Sequence, residues 1–320
     1  MRAAYIESYG GPEEIKYGTL EDSRPGKGEV LIRVAAASVN PVDWKIREGR
    51  LKLFSGKKFP MVLGTEVSGM VEETGAGVTT FAPGDRVFAG LSHKGGGYAE
   101  LVVANHEKVI RIPDALPFDA ASTLAVAGLT PMQAFTLHYK VKPGDALLVN
   151  GGSGGVGTYA IQIAKILGAH VTAVCSARNA ALVSQLGADE VIDYNKEDFR
   201  DRRDAFDVVL DAAANAFFPE TKACLKKGGM LIKLNLSITS YLKGKWSVLF
   251  SSKKYKMILV KNRPADLQWM IDHIVSGKIK VVIDRTYPLE EARKAHEYSQ
   301  SGRARGKLVL NTGADGSELK

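Results

Sequence analysis

The chain has 320 residues, 45% hydrophobic and 24% charged, the make-up of a globular protein with room for two domains of about 100–200 residues each. Its formal charge of +8 favours small anionic ligands such as phosphates; the basic residues are scattered and carry no nucleic-acid-binding motif, so a nucleic-acid partner is excluded. No run reaches the roughly 18 apolar residues that cross a membrane, the N-terminus lacks a signal peptide's apolar core, and the two cysteines, Cys175 and Cys224, stand in no metal-binding or redox spacing, so a reduced, cytoplasmic protein is expected.

Residues 1–6 read as a strand, and up to about residue 115 short apolar runs are cut by glycine and proline, at 29–37, 67–73, 85–89 and 97–103. That pattern suits a partly open β-barrel. Residues 117–139 are alanine-rich and predict helix. Strands then alternate with helices: 146–150, 155–167, 170–174, 178–186, 190–192, 207–210, 217–225 and 229–234. Alternation of this kind predicts right-handed βαβ units and a parallel sheet. Short strands return at 281–284 and 307–310, around a helix near 290–299. The fold expected is α/β: a doubly wound Rossmann sheet at 121–277, inserted in a β-rich domain made of 1–120 and 278–320, with the site in the cleft between them.

The strongest local signal follows the apolar strand 146–150. Gly151-Gly152-Ser153-Gly154-Gly155-Val156-Gly157 places Gly152, Gly154 and Gly157 in GxGxxG register and opens an apolar helix. Strand before and helix after is the context in which this spacing carries meaning. Without side chains the backbone turns tightly and approaches a pyrophosphate, while the N–H groups and dipole of the helix N-terminus favour the anion. The same stretch also matches GxSxG, the nucleophile elbow of serine hydrolases. Such an enzyme needs an acid and then a histidine downstream, and neither His273 nor His296 stands in a catalytic-looking context.

The second strand of the unit ends in Cys175-Ser176-Ala177-Arg178-Asn179. An NAD site has a carboxylate there for the ribose 2′-hydroxyl. A hydroxyl and a guanidinium stand in its place, and Arg178 is suited to a 2′-phosphate. NADPH is therefore the expected cofactor.

Over its whole length the chain resembles the zinc-free quinone oxidoreductase branch of the medium-chain dehydrogenase/reductase superfamily. The resemblance is carried by Asn40-Pro41-Val42-Asp43-Trp44, Pro83-Gly84-Asp85-Arg86-Val87, Leu91-Ser92-His93-Lys94-Gly95, Val126-Ala127-Gly128-Leu129-Thr130, the glycine loop, Leu186-Gly187-Ala188-Asp189 and Gly306-Lys307-Leu308-Val309-Leu310. It implies a GroES-like catalytic domain around the Rossmann domain, NADPH as hydride donor, and a quinone or α,β-unsaturated carbonyl as acceptor. It further implies Asn40 and Thr130 at the nicotinamide end, Ser153 to Gly157 on the pyrophosphate, and Ser176, Arg178 and Tyr194 around the adenosine phosphate, with Lys307 counted among the cofactor-binding residues. Trp44 stands where the family often has tyrosine and joins Asn40 and Thr130 as a catalytic-site candidate. A homodimer is also implied.

Zinc-dependent relatives place a cysteine near Asn40 and a histidine at Thr65, so no metal is expected. Without a Lewis acid, acceptors that are already electrophilic are the chemically easier ones. His93, in a glycine-flanked loop, reads as an ordinary loop histidine rather than a proton donor; Asp43 and Glu66 read as scaffold groups. The segment 241–261 mixes six lysines with Trp246, Leu249, Phe250 and Tyr255. It is no clean amphipathic helix and has no lipidation motif, so membrane-surface binding is the lesser reading and an edge strand near a dimer contact the greater. The alternative to an enzyme is a non-catalytic NADPH-binding protein.

Overall fold

The computed structural model describes residues 1–234, 248 and 251–313. The chain divides into two units: 1–126 with 262–275 and 283–320, and 127–261 with 276–282.

In the first unit the interrupted apolar runs fold as strands. These are β1 (Arg2–Ile6), β2 (Lys16–Thr19), β3 (Glu29–Val39), β4 (Met61–Val62), β5 (Glu66–Thr74), β6 (Arg86–Gly90), β7 (Leu101–Asn105) and β8 (Val109–Arg111). β1 lies antiparallel between β2 and β4. β3 is the spine of the larger sheet: it pairs antiparallel with β5 and with β7, and its ladder with β5 carries two bulges. Most of β3 is buried, Val30, Ile32, Val34 and Ala37 entering one apolar cluster with Val67, Val87 and Tyr98. At Gly69 the backbone of β3 comes so close that an added Cβ would meet the Arg33 carbonyl oxygen at 2.0 Å, which only glycine permits. The run at 97–103 becomes strand only from Leu101. Ahead of it Gly95 and Gly96 adopt positive φ, and the turn is tied back by N–H bonds from Gly96 to Val62 and from Gly97 to Gly64.

The second unit carries β9 (Ala146–Asn150), β10 (His170–Cys175), β11 (Glu190–Asp193), β12 (Phe206–Asp211), β13 (Leu225–Lys233) and β14 (Lys254–Met257). All their pairings are parallel, in the order β11-β10-β9-β12-β13-β14. The chain runs outward one way from β9 and then the other way from β12, which is the doubly wound arrangement with its switch point beside β9. Helices Gly155–Ile166 and Ala180–Gln185 make the crossovers from β9 to β10 and from β10 to β11. Of the helix expected at 217–225 only the turn Phe218–Thr221 forms. Sheet pairing captures the remainder: the Cys224 carbonyl accepts N–H bonds from Ala205 and Phe206, and Leu225 is already in β13. Within 241–261, β14 is an edge strand; residues 241–247 and 249–250 lie outside the described residues.

The chain returns to the first unit with β15 (Ile283–Pro288) and β16 (Lys307–Asn311), joined through helix Ala292–Gln300. β16 lies between β15 and β3, antiparallel to β3. Helix Pro264–Val275 buries Leu267, Met270 and Ile271, an i, i+3, i+4 stripe.

Candidate functional site

The glycine loop begins where β9 ends. Gly151 has φ +85°, and the N–H groups of Gly151 and Gly152 both donate to the Val174 carbonyl of β10, at 3.2 and 2.9 Å. Gly157, in the first turn of helix Gly155–Ile166, lies against this turn: a Cβ there would stand 2.1 Å from the Gly151 carbonyl oxygen. Gly154 caps the helix with no side-chain cap, and its carbonyl takes its first bond from Thr158. The N–H groups of Gly155, Val156 and Gly157 therefore have no acceptor within the helix. Three donors with no acceptor among the described residues, at the positive end of a twelve-residue helix, suit an anionic oxygen, the fit a pyrophosphate requires.

Ser176, Arg178 and Tyr194 gather at the C-terminal ends of β10 and β11. Ser176 precedes the turn Ala177–Asn179. Arg178 is exposed. Tyr194 is 62% exposed, and its N–H donates to the Cys175 carbonyl. Two neighbours were not picked out from the sequence. Asp193 lies in register with Cys175; N–H bonds, first from Asn195 and also from Ala177, hold its carboxyl below the usual range. Asn179 is buried and donates from Nδ2 to Ser153 Oγ at 2.9 Å, while its Oδ1 has no hydrogen-bond partner among the described residues. The signal that could have revealed Asn179 was its position: a polar residue ending the turn after the second strand.

Below the loop, Asn150 Nδ2 donates to Asp211 Oδ1 and Asn215 Oδ1. Lys233 Nζ donates to the Ala216 carbonyl and stands 3.8 Å from Asp211. Burial pushes the Asp211 carboxyl up. Thr130, also in the second unit, is buried at the start of the short helix Thr130–Gln133, between the π-helical stretches Leu124–Leu129 and Ala134–His138.

Asn40 belongs to a cluster in the first unit. It ends β3 and caps helix Pro41–Arg47, whose Asp43 accepts the Asn40 N–H at 2.7 Å. Asn40 Nδ2 donates to Ser38 Oγ and to Glu66 Oε1, and its Oδ1 accepts from the Lys307 ammonium. Lys307 stands 3.9 Å from Glu66. The second oxygen of Glu66 accepts the N–H groups of Ala125 and Val126, each at 3.0 Å. Asp43 also accepts from Thr65 and Tyr98; Tyr98 meets His296 Nε2, whose Nδ1 faces Arg47. Asn40, Asp43, Glu66, Tyr98, Arg47, His296 and Lys307 are all buried. Burial pushes the Asp43 carboxyl up to about 7 and His296 down to about 3, and it lowers Lys307. Lys307, grouped with the cofactor residues in the sequence reading, directs its ammonium at Asn40.

Trp44 is half-buried on the same helix, its Nε1 without a hydrogen-bond partner among the described residues, with Lys45 and Arg50 5.4 and 5.6 Å from its ring. His93 is exposed and its ring lies 6.0 Å from that of Phe54. Both ring nitrogens of His296 are engaged, His273 Nδ1 lies 2.9 Å from the Trp269 carbonyl, and Ser153 Oγ accepts from Asn179.

Residues 26–114 match the alcohol dehydrogenase GroES-like domain, and residues 186–310 match the family described as zinc-binding dehydrogenase. The chloroplast envelope quinone oxidoreductase homologue of Arabidopsis thaliana is 36% identical over 97% of this chain and 98% of its own length. The quinone oxidoreductase structure from Coxiella burnetii superposes with a TM-score of 0.89 at 31% identity, covering 98% of this chain and 99% of that one. That of Escherichia coli quinone oxidoreductase complexed with NADPH does so at 0.84 and 26% identity, covering 97% and 100%.

The zinc that one of these descriptions implies does not fit the residues present. Thr65 offers a hydroxyl already donated to Asp43, Asn40 an amide bonded at both ends, and Glu66 two oxygens that each accept bonds. Catalytic zinc takes three N, O or S ligands, and among the described residues no group of three His, Cys, Asp or Glu could hold a metal ion.

Proposed function

Because the chain belongs to the quinone oxidoreductase family of the medium-chain dehydrogenases and reductases, we propose that it is an NADPH-dependent oxidoreductase acting on quinones or α,β-unsaturated carbonyls. Bound NADPH supplies a hydride, two electrons with one hydrogen nucleus, and the acceptor takes that hydride and one proton from solvent. The protein's contribution is to bind, orient and exclude water.

In this reading the open N–H groups of Gly155, Val156 and Gly157, within the loop Gly152 to Gly157, hold the pyrophosphate. Ser176, Arg178 and Tyr194 select the 2′-phosphate. Asn40, Trp44 and Thr130 serve the nicotinamide and acceptor end, and Lys307 acts there by fixing the Asn40 amide. The observation that carries the reading is the uncapped helix N-terminus behind Gly154, on a sheet with its switch point at β9.

Two coarser expectations join it. The free edge of β14, last in the order of described strands, supports a homodimer formed by strand pairing. Both cysteines are free and buried, which supports a reducing compartment such as the cytoplasm. No helix among the described residues is long and apolar enough to cross a membrane.

The test is NADPH consumption by purified protein, with NADH in parallel, against an ortho-quinone and a medium-chain 2-alkenal. Turnover with NADPH well above NADH supports the reading, and the better acceptor names the substrate branch. Tight NADPH binding with neither acceptor reduced would overturn the catalytic half and leave a cofactor-binding protein. Equal use of NADH would remove the assignment of Arg178.

A further inference from the structure

Asn179 is 5% exposed. Its amide nitrogen is committed to Ser153 Oγ, in the glycine loop. Its amide oxygen has no donor among the described residues, an uncommon and unfavourable state for a buried polar atom. The residue stands between two anion-suited features: the open helix N-terminus at Gly155–Gly157 on one side, and exposed Arg178 on the other.

An amide oxygen is satisfied by an O–H or N–H, and an anionic phosphate brings neither. A dinucleotide with its pyrophosphate at the helix N-terminus and a 2′-phosphate at Arg178 has the adenosine ribose between them. The donor left on that ribose is the 3′-hydroxyl. We propose that Asn179 is a cofactor-recognition residue whose Oδ1 accepts a hydrogen bond from the adenosine 3′-hydroxyl while its NH2 group holds Ser153 in place. This rests on the NADPH reading above. It divides the adenosine end into two tasks: Arg178 distinguishes NADPH from NADH, and Asn179 recognises what the two share.

Dissociation constants for NADPH, NADH and the 3′-deoxyadenosine analogue of NADH, measured by titration calorimetry on the full chain, test it. Asn179→Ala should weaken NADPH and NADH alike, by about two- to tenfold for a neutral hydrogen bond, and leave their ratio unchanged. The 3′-deoxy analogue should lose less affinity than NADH does on going from wild type to Asn179→Ala, because only the support of Ser153 is left to remove. Asn179→Asp keeps an acceptor oxygen but adds charge, so it should hold NADH better than it holds NADPH. Near-UV circular dichroism checks that each variant is folded. Unchanged affinities in Asn179→Ala overturn the proposal, as does a loss confined to NADPH, which would place Asn179 on the phosphate. A wild-type chain that binds neither dinucleotide would overturn the NADPH reading itself, a result distinct from either of these.

Discussion

The two units use polar groups in opposite ways. In the second, the glycine loop holds backbone N–H groups that have no acceptor among the described residues, and the residues there are selected for what they lack. In the first, the cluster around Asn40 buries two carboxylates and two cations, and nearly every donor and acceptor is matched inside the protein. One region is prepared to receive charge and the other has already cancelled its own. Substitutions should therefore cost binding in the first case and folding in the second.

The hardest test of that contrast is Glu66→Ala. It takes from the buried Lys307 ammonium the carboxylate 3.9 Å away and removes the acceptor shared by the Ala125 and Val126 N–H groups. A loss of about 3–5 kcal/mol is expected in chemical denaturation. A loss below 1 kcal/mol would mean that the cluster is not charge-balanced as described.

Gly157→Ala probes the other side. The added methyl meets the Gly151 carbonyl at 2.1 Å, so helix and loop must separate. Stability should fall by about 1–3 kcal/mol, with NADPH binding lost in a calorimetric titration of the folded variant. Arg178→Ala should leave stability unchanged and weaken NADPH about 10- to 100-fold, the worth of hydrogen bonds to a charged group; NADH affinity should stay the same. A parallel loss for NADH would show that Arg178 does not read the 2′-phosphate.

A subtler effect comes from Asp43 and His296. Burial raises Asp43 from 3.8 to about 7, so over that range the folded chain holds a proton the unfolded chain has released, and stability falls as pH rises. Burial lowers His296 from 6.5 to about 3, so over that range the folded chain holds one proton fewer, and stability rises with pH. Where the ranges overlap the two slopes oppose each other. His296→Gln should therefore expose a falling slope, and Asp43→Asn a rising one, each near 1.4 kcal/mol per pH unit. Denaturation midpoints between pH 4 and 7 measure both. Smallest of all, Glu72→Gln removes a half-exposed pair with Arg33 and should change stability by no more than about 1 kcal/mol.

Much of the second unit was legible in the sequence because its signals are local. A strand, a glycine spacing and an apolar helix follow one another within some twenty residues, and each constrains the next through the backbone. Ser176 and Arg178 were read the same way, by distance from the loop, and Tyr194 came from the family resemblance. Asn179 was passed over because asparagine in a turn is ordinary; what sets it apart, an amide oxygen without a donor, exists only once Ser153 has been folded against it. In the first unit the strands were readable, but the cluster was not. Asp43 and Glu66 read as scaffold groups without partners to name, because those partners, Tyr98 and Lys307, lie tens to hundreds of residues away. The helix 217–225 failed for a related reason: local propensity favoured it, and pairing of Leu225 with Phe206 across the sheet overrode it.

The lysine that completes the Asn40 cluster is supplied by β16, more than 260 residues downstream of Asn40. On a ribosome the chain emerges N-terminal end first, so β1 to β8 are made long before β15 and β16. Until the last strand arrives, Glu66 has no ammonium beside it, and β3 lacks the neighbour that covers its Ala36–Val39 edge. The second unit, continuous apart from 276–282, has nearly all its chain available earlier. Synthesis thus imposes a timetable: the dinucleotide-binding sheet can assemble while the first unit waits, with an open strand edge and an uncompensated acid, for β16.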